Sequence, residues 1–291
     1  MADILLKFHS QETVQRPRLD PLVIAQQLGA TDLVFLGNGA FGETWECKLY
    51  DAPCAIKIIT HSNFSAKRIQ KEIEGLTRVA SPHVVAFLDY LSLQYGAVTH
   101  PVLKFELIRG NNLGKHLTRN HWPDFSQIAS FIIGILSGLL ALHDAGVIHR
   151  DLKPENIILR NGSYTDPTIV DLGLARIIDS SQYTHYPALV GTLPYMAPEQ
   201  IRGEPARKGS DLWAIGVILY LLLTSKHPFF RISEEPLDID TLLDRIYAGP
   251  PQIDDDVPAI LKELATRFLS FEPYQRGSAA RALRDLKGGI L

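Results

Sequence analysis

From residue 32 onward, short apolar runs alternate with breaks containing Gly, Asn or Pro, and the spacing of the apolar positions changes near residue 109. Residues 33–36, 44–49 and 54–59 are rich in β-forming side chains. They are separated by glycines and by Asp51-Ala52-Pro53, a pattern that predicts three strands. Ile69, Ile73, Leu76 and Val79 then recur at helical spacing, predicting a helix over 64–79 with Ser62 or Asn63 as its cap. Two more strand-like runs, 84–91 and 102–107, complete a small sheet-rich half. After Arg109-Gly110-Asn111-Asn112 the pattern turns helical, with helices expected over 113–118, 126–145, 211–223, 239–247, 258–268 and 279–286. Residues 1–31 read as an N-terminal extension whose role the pattern does not give. Within it, 4–8 suggests a strand, and 20–28 a short helix with Asp20 as cap and Pro21 at its first position. The expected architecture is α+β and bilobal, with a β-rich lobe over 32–107, an α-helical lobe over 108–291 and a ligand cleft between them.

Composition narrows the function classes. A net charge of −3 supplies no electrostatic drive toward nucleic acid or an anionic membrane. The uncharged stretches 128–142 and 212–224 fall short of the roughly 20 residues of a membrane span and read as buried helices. The first ten residues lack the basic start and sustained apolar run of a signal peptide, so a cytoplasmic location is expected. Cys47 and Cys54 are too sparse for a disulfide framework and read as small, partly buried side chains. Trp213 lies in an apolar helix and reads as core. Oligomeric state is not legible.

The chemistry-bearing segments begin with Gly37-Asn38-Gly39-Ala40-Phe41-Gly42. A dinucleotide-binding loop would need a helix directly after these glycines and an acidic residue about 20 positions later. Here the glycines lead into a strand. A glycine loop between two strands can instead lay its backbone N–H groups over phosphates. Lys57 sits in an apolar strand, with Ala55, Lys57 and Ile59 alternating onto one face, and a buried lysine needs a partner. At ~100° per residue, Glu72 falls about 40° from Leu76 around the helix and Glu74 about 160° away, so Glu72 is the expected partner and Glu74 faces water.

His149-Arg150-Asp151-Leu152-Lys153-Pro154-Glu155-Asn156 follows the long apolar helix. Phosphoryl transfer accounts for this composition. Asp151 can take a hydroxyl proton, Lys153 can neutralise the transferring group, and Asn156 offers an oxygen to a metal. Asp171-Leu172-Gly173 comes after the strand-like Thr168-Ile169-Val170, which places a carboxylate at a strand end to hold Mg²⁺.

In this order, and with Ala197-Pro198-Glu199, Asp211, Gly216 and Arg276 following, the chain resembles the protein kinase superfamily from about residue 33 to 286. The resemblance implies the bilobal kinase fold, ATP and Mg²⁺ as cofactors and protein Ser/Thr hydroxyls as acceptors. It assigns Gly37, Asn38, Gly39, Ala40, Phe41, Gly42, Thr44 and Ala55 to the nucleotide, with Phe105 as gatekeeper and Glu106 to Ile108 as hinge. It makes Lys57, Glu72, Asp151 and Lys153 catalytic, and Asn156 and Asp171 metal ligands. It also implies that Glu199 pairs with Arg276 and that Asp211 braces the catalytic loop. Lys153 and Gly191-Thr192 follow the Ser/Thr form, and Gly42-Glu43-Thr44 resembles bacterial members. Arg150 before Asp151 implies activation by loop phosphorylation, with Ser180, Ser181, Tyr183, Thr184 and Tyr186 as candidates and Thr184 first. His149 is expected to have a packing and hydrogen-bonding role. Leu172 stands where Phe is usual and is expected to pack near Leu76. Lys104 is expected to point away from the Phe105 face. The alternative is a pseudokinase scaffold that binds nucleotide without turnover.

Overall fold

Alternation along residues 52–59 sorts the sheet into two faces. In the computed structural model, which describes residues 19–39, 42–60, 66–172, 193–230 and 238–289, Cys54, Ile56 and Ile58 point outward. Ile59 points inward to join Leu103 and Phe105 in the main core. The sheet comprises β1 (Ala30–Gly39), β2 (Gly42–Leu49), β3 (Ala52–Ile59), β4 (Phe87–Tyr95) and β5 (Val98–Glu106). Its order is β1-β2-β3-β5-β4, with every neighbour antiparallel. Cys47 and Cys54 lie directly opposite each other on β2 and β3, fully buried, with sulfurs 3.7 Å apart. Burial pushes the Cys47 thiol up to about 12, reinforced by Cys54, so it stays protonated.

The helix expected at 20–28 is present as α1 (Pro21–Leu28), and the Asp20 side chain accepts from the Leu22 N–H at 2.9 Å. The structure adds its partner. Leu19 and Ile24 pack on the outward face of the sheet with Trp45, Cys47, Leu49 and Val102. Helix α2 (Ala66–Leu76) ends before residue 79, the predicted limit. Arg78 and Val79 bond back only three residues, to Gly75 and Leu76, so the chain tightens and leaves the helix. The predicted strand at 84–91 starts later, because Val84 and Val85 pair with Ile169 from the other half of the molecule. An apolar run fixes burial but not the partner strand.

Beyond residue 109 come β6 (Gly110–Asn112), α3 (Leu113–Thr118), α4 (Phe125–Asp144), β7 (Ile157–Arg160), β8 (Pro167–Ile169), α5 (Pro198–Ile201), α6 (Lys208–Thr224), α7 (Ile239–Tyr247), α8 (Ala259–Phe268) and α9 (Ala279–Gly289). Strands β6, β7 and β8 form a small second sheet. Among the described residues α4 alone is long and apolar enough to cross a membrane, and it runs further than the uncharged stretch suggested. Here it is a core helix, with Phe131, Ile132, Ile135, Leu136 and Leu139 buried. Gly138 lets it approach the chain at His83, whose carbonyl oxygen would lie 2.7 Å from an added Cβ. Every residue of α6 from Ser210 to Leu222 is buried, Trp213 among them. A single hydrophobic cluster joins α4 and α6 to Ile59, Ile69 and Leu76 under the five-stranded sheet.

The strand expected at 4–8, the caps Ser62 and Asn63, and Ala40, Phe41, Gly173, Ser180, Ser181, Tyr183, Thr184, Tyr186, Gly191 and Thr192 lie outside the described residues, as does the side chain of Glu72.

Candidate active site

Asp211, in the first turn of α6, organises the loop that follows α4. Its Oδ1 accepts the Arg150 N–H at 2.8 Å, and its Oδ2 accepts the His149 N–H at 3.0 Å. The ring of His143, in the last turn of α4, meets Oδ2 at 2.8 Å. A carboxylate without exposure is therefore satisfied by two main-chain donors and one ring nitrogen. The His149 ring lies 3.0 Å from the Val170 carbonyl through Nε2, so Nε2 carries the proton there. Its Nδ1 then accepts the Asp151 N–H at 3.3 Å. One histidine thus links Asp151 to the residue before Asp171. The main chain turns sharply at both ends of this link, with Arg150 at φ 71° and Asp171 at φ 61°, a region that costs non-glycine residues energy.

Asp151 Oδ2 accepts from Lys153 Nζ at 2.9 Å and lies 3.3 Å from the amide nitrogen of Asn156. That nitrogen donates to the Asp151 carbonyl at 2.7 Å, which leaves the Asn156 oxygen to act as a ligand. Among the described residues, Asp151 Oδ1 is buried without a hydrogen-bond partner. A buried carboxylate oxygen left open in this way is suited to a donor brought by a substrate, such as a hydroxyl. Burial opposes charge on Lys153, but Asp151, Glu155 and Asp171 outweigh it and raise its pKa above the ordinary value.

Lys57 reaches Asp171 and makes an ion pair with its Oδ1. Burial pushes the Asp171 carboxyl up, but Lys57, His149 and Lys153 hold it below the usual carboxylate range. The expected Lys57–Glu72 pair lies outside the described residues; the partner observed for Lys57 is Asp171. Glu74 is exposed, as its helical angle required. Leu172 is buried in the same cluster as Leu76, which fits the packing expected of it. An amide oxygen and a carboxylate are hard ligands that suit Mg²⁺, which completes its shell with water and phosphate.

The positions expected to meet nucleotide also gather. Thr44 lies opposite Lys57 between β2 and β3, and Ala55 lies opposite Phe105 between β3 and β5. The Phe105 ring packs edge-on to Phe87 at 5.8 Å, and both Phe105 and Ile108 are buried. Gly37, Asn38 and Gly39 pair with Thr44, Glu43 and Gly42. An added Cβ on Gly42 would lie 1.9 Å from the Ile58 carbonyl oxygen, so only glycine fits beside β3. Lys104 points away from the Phe105 face as expected, and it is half-buried, as a snorkelling lysine would be.

Sequence reasoning missed several supports. Glu106 is held by the Ala86 N–H at 2.9 Å and by Arg160 at 3.0 Å, and Arg160 also bonds Thr168 at 2.9 Å. Gln200 donates to the Arg150 carbonyl at 3.0 Å. His143 received no role from the sequence, although a histidine at the end of a buried helix was a signal. The Glu199–Arg276 pair is present and bidentate, at 2.7 and 3.0 Å.

The protein kinase domain model matches residues 31–286. Similar proteins include serine/threonine-protein kinase pkn3 of Myxococcus xanthus, 31% identical over 86% of this chain and 47% of that protein. Probable serine/threonine-protein kinase PkwA of Thermomonospora curvata is 30% identical over 92% of this chain and 34% of its own length. Probable serine/threonine-protein kinase PknB of Corynebacterium glutamicum is 34% identical over 67% of this chain and 31% of its own length. The chain spans from about a third to about a half of the length of these relatives. With the order of the motifs, the two-part fold and a match over most of its length, the chain belongs to the protein kinase domain family.

Proposed function

We propose that this chain transfers the γ-phosphoryl group of ATP to Ser or Thr hydroxyls of protein substrates in the cytoplasm. The observation that carries the reading is the convergence of Lys57 and Asp171, 114 positions apart, with Lys153, which acts on the Asp171 charge and bonds Asp151 beside Asn156. Bound Mg²⁺ would supply charge neutralisation between the β- and γ-phosphates, and Asn156 and Asp171 are the residues to hold it. The backbone at Gly37, Gly39 and Gly42 covers the phosphates, and Lys57 turns from Asp171 toward phosphate oxygens. The acceptor hydroxyl donates to the open Oδ1 of Asp151. As its oxygen bonds phosphorus, the bond from the γ-phosphorus to the ADP oxygen breaks and the proton passes to Asp151. Lys153, held 2.9 Å from Asp151, lies beside the charge on the transferring group. Loop phosphorylation at Thr184, read through Arg150, is part of the proposal.

The test is transfer of labelled phosphate from ATP to a generic protein substrate, with the Asp151→Asn chain alongside. Loss of a general base predicts a fall in kcat of about 10²–10⁴-fold with nucleotide binding retained. Label in the wild type no greater than in the variant, with nucleotide still bound, would replace the enzyme reading with a scaffold.

A further inference from the structure

The family match begins at residue 31, yet residues 19–28 before it are packed on the sheet. The contact is polar as well as apolar. The Leu19 main-chain N–H lies 3.2 Å from both carboxylate oxygens of Glu43, and the Trp45 indole N–H donates to Glu43 Oε2 at 3.1 Å. Glu43 is 2% exposed, so protein donors rather than water satisfy its oxygens, and losing a donor there is costly. The Asp20 N–H lies 3.3 Å from the Tyr95 hydroxyl, a second tether to the same sheet.

The position of Glu43 gives this contact its consequence. It directly follows Gly42, the last glycine of the loop, and precedes Thr44, which lies opposite Lys57. Alternation turns its side chain outward with Trp45, while Thr44 stands on the opposite face. Whatever fixes the Glu43 side chain from outside therefore fixes the peptide that closes the glycine loop inside. Gly42 cannot shift toward β3, because the Ile58 carbonyl is already close.

We propose that residues 19–28 are a positioning brace for the glycine loop, acting through Glu43. Nucleotide affinity then depends on a contact made on the far side of the sheet. The proposal rests on the ATP-binding reading above. Glu43 touches no substrate and acts through the backbone of its neighbours.

Two measurements on the full chain test it. Hydrogen exchange of the 37–49 region without nucleotide reads the brace directly, and is expected to rise about five- to tenfold in Glu43→Ala, the size of one ordinary net hydrogen bond. Calorimetry with a non-hydrolysable ATP analogue and Mg²⁺ should show Kd rising by a similar factor. The KM for ATP should rise with it, and kcat should stay within about twofold. Glu43→Gln retains a carbonyl oxygen for the Leu19 N–H and should recover most of the affinity. Ile24→Ala loosens α1 without touching Glu43 and should shift exchange and Kd in the same direction. It carries the test if Glu43→Ala does not fold. Unchanged exchange at 37–49 in variants that merely melt earlier would overturn the brace. A wild-type chain that binds no nucleotide, yet shows the exchange response, would keep the brace and remove the ATP reading.

Discussion

The loop that carries Asp151 and the sheet that carries Lys57 are held in place by different physics. The loop is fixed from within the helical half, where Asp211 takes two main-chain N–H groups and His149 ties Asp151 to Val170. Removing one group there leaves buried donors unpaired, which costs more than the bond contributed. In the sheet, Lys57 is held by strand pairing, and its charge meets Asp171, whose side chain is 38% exposed. Fold and chemistry share the same residues in one region and are separable in the other. Substitutions can break that contrast or sharpen it.

The largest effect is expected at Glu199–Arg276, in the tightly bound region. Arg276 has no exposed surface, donates to the carbonyls of Ser270, Gly209 and Phe271, and lies 5.0 Å over the Trp213 ring. Arg276 and Ser210 hold the Glu199 carboxyl below the usual range against its burial. Glu199→Ala leaves a buried guanidinium without its carboxylate and should lower stability by about 3–5 kcal/mol in urea unfolding. A loss under about 1 kcal/mol would show that the region tolerates an unpaired charge, and the contrast would fail.

In the sheet the expectation reverses. Lys57→Met should cut phosphoryl transfer by about 10²–10³-fold, since the charge proposed to meet phosphate is lost. Its unfolding midpoint should move little, because a methionine stem fills the same inward position and Asp171 can reach water. Asp211→Asn sits between these cases. One of its two acceptor atoms becomes an NH₂ facing an N–H, which should cost about 1–3 kcal/mol and lower kcat together. Stability and kcat that part company in Asp211→Asn would separate bracing from catalysis.

How much of this was legible beforehand follows from the range of each interaction. The α1 helix was readable because Asp20 and Pro21 act on their own turn, within two residues. Alternation on β3 placed Lys57 inward, because the strand period is fixed by covalent geometry. The grouping of Asp151, Asn156 and Asp171 was legible through motif order, since phosphoryl transfer demands those groups together. The Leu19–Glu43 contact was not, because a main-chain N–H meeting a carboxylate 24 positions away leaves no residue pattern. Val84 and Val85 were placed in the wrong sheet for a related reason: hydrophobicity says that a side chain is buried, not what covers it. Glu106 was read as hinge, yet its bond to Arg160, 54 positions on, needed coordinates.

A pH test bears on the helical half. His227 is buried, its Nε2 lies 2.9 Å from the Pro194 carbonyl, and its Nδ1 accepts the N–H groups of Phe229 and Phe230 at 3.1 Å. Tyr195, Phe229 and Phe230 rings surround it. Burial pushes its pKa down to about 4, only partly opposed by the Pro194 carbonyl. In the unfolded chain it titrates near 6.5, so below that pH the unfolded state binds a proton the folded state refuses. Its contribution is complete above about pH 6.5 and is lost as pH falls toward 4, amounting to about 2 kcal/mol by pH 5. Urea unfolding of wild type and His227→Gln at pH 7 and pH 5 should differ by that amount, because the amide keeps a donor and an acceptor without titrating. Equal slopes would place the acid sensitivity elsewhere.

The smallest effect is expected in the sheet, at the turn joining β2 to β3. Tyr50 and Asp51 both have positive φ, 54° and 60°, the signature of a hairpin turn that favours Asn-Gly over any other pair. Tyr50 is 90% exposed, so its ring contributes little packing to offset the backbone cost. The double change Tyr50→Asn with Asp51→Gly should therefore raise stability by about 0.5–1 kcal/mol, the relief at two left-handed positions less the extra freedom glycine gives the unfolded chain. Nucleotide affinity and kcat should not change, because the turn lies at the opposite end of β2 from Gly42. A gain in stability with activity untouched is what separable fold and chemistry require of this region. A fall in stability would mean that the Tyr50 ring is needed where it lines the hollow beside Leu28, Leu49 and Tyr90. A fall in activity would mean that strain at this turn is transmitted along β2 to the glycine loop, and that the sheet is as tightly coupled as the helices.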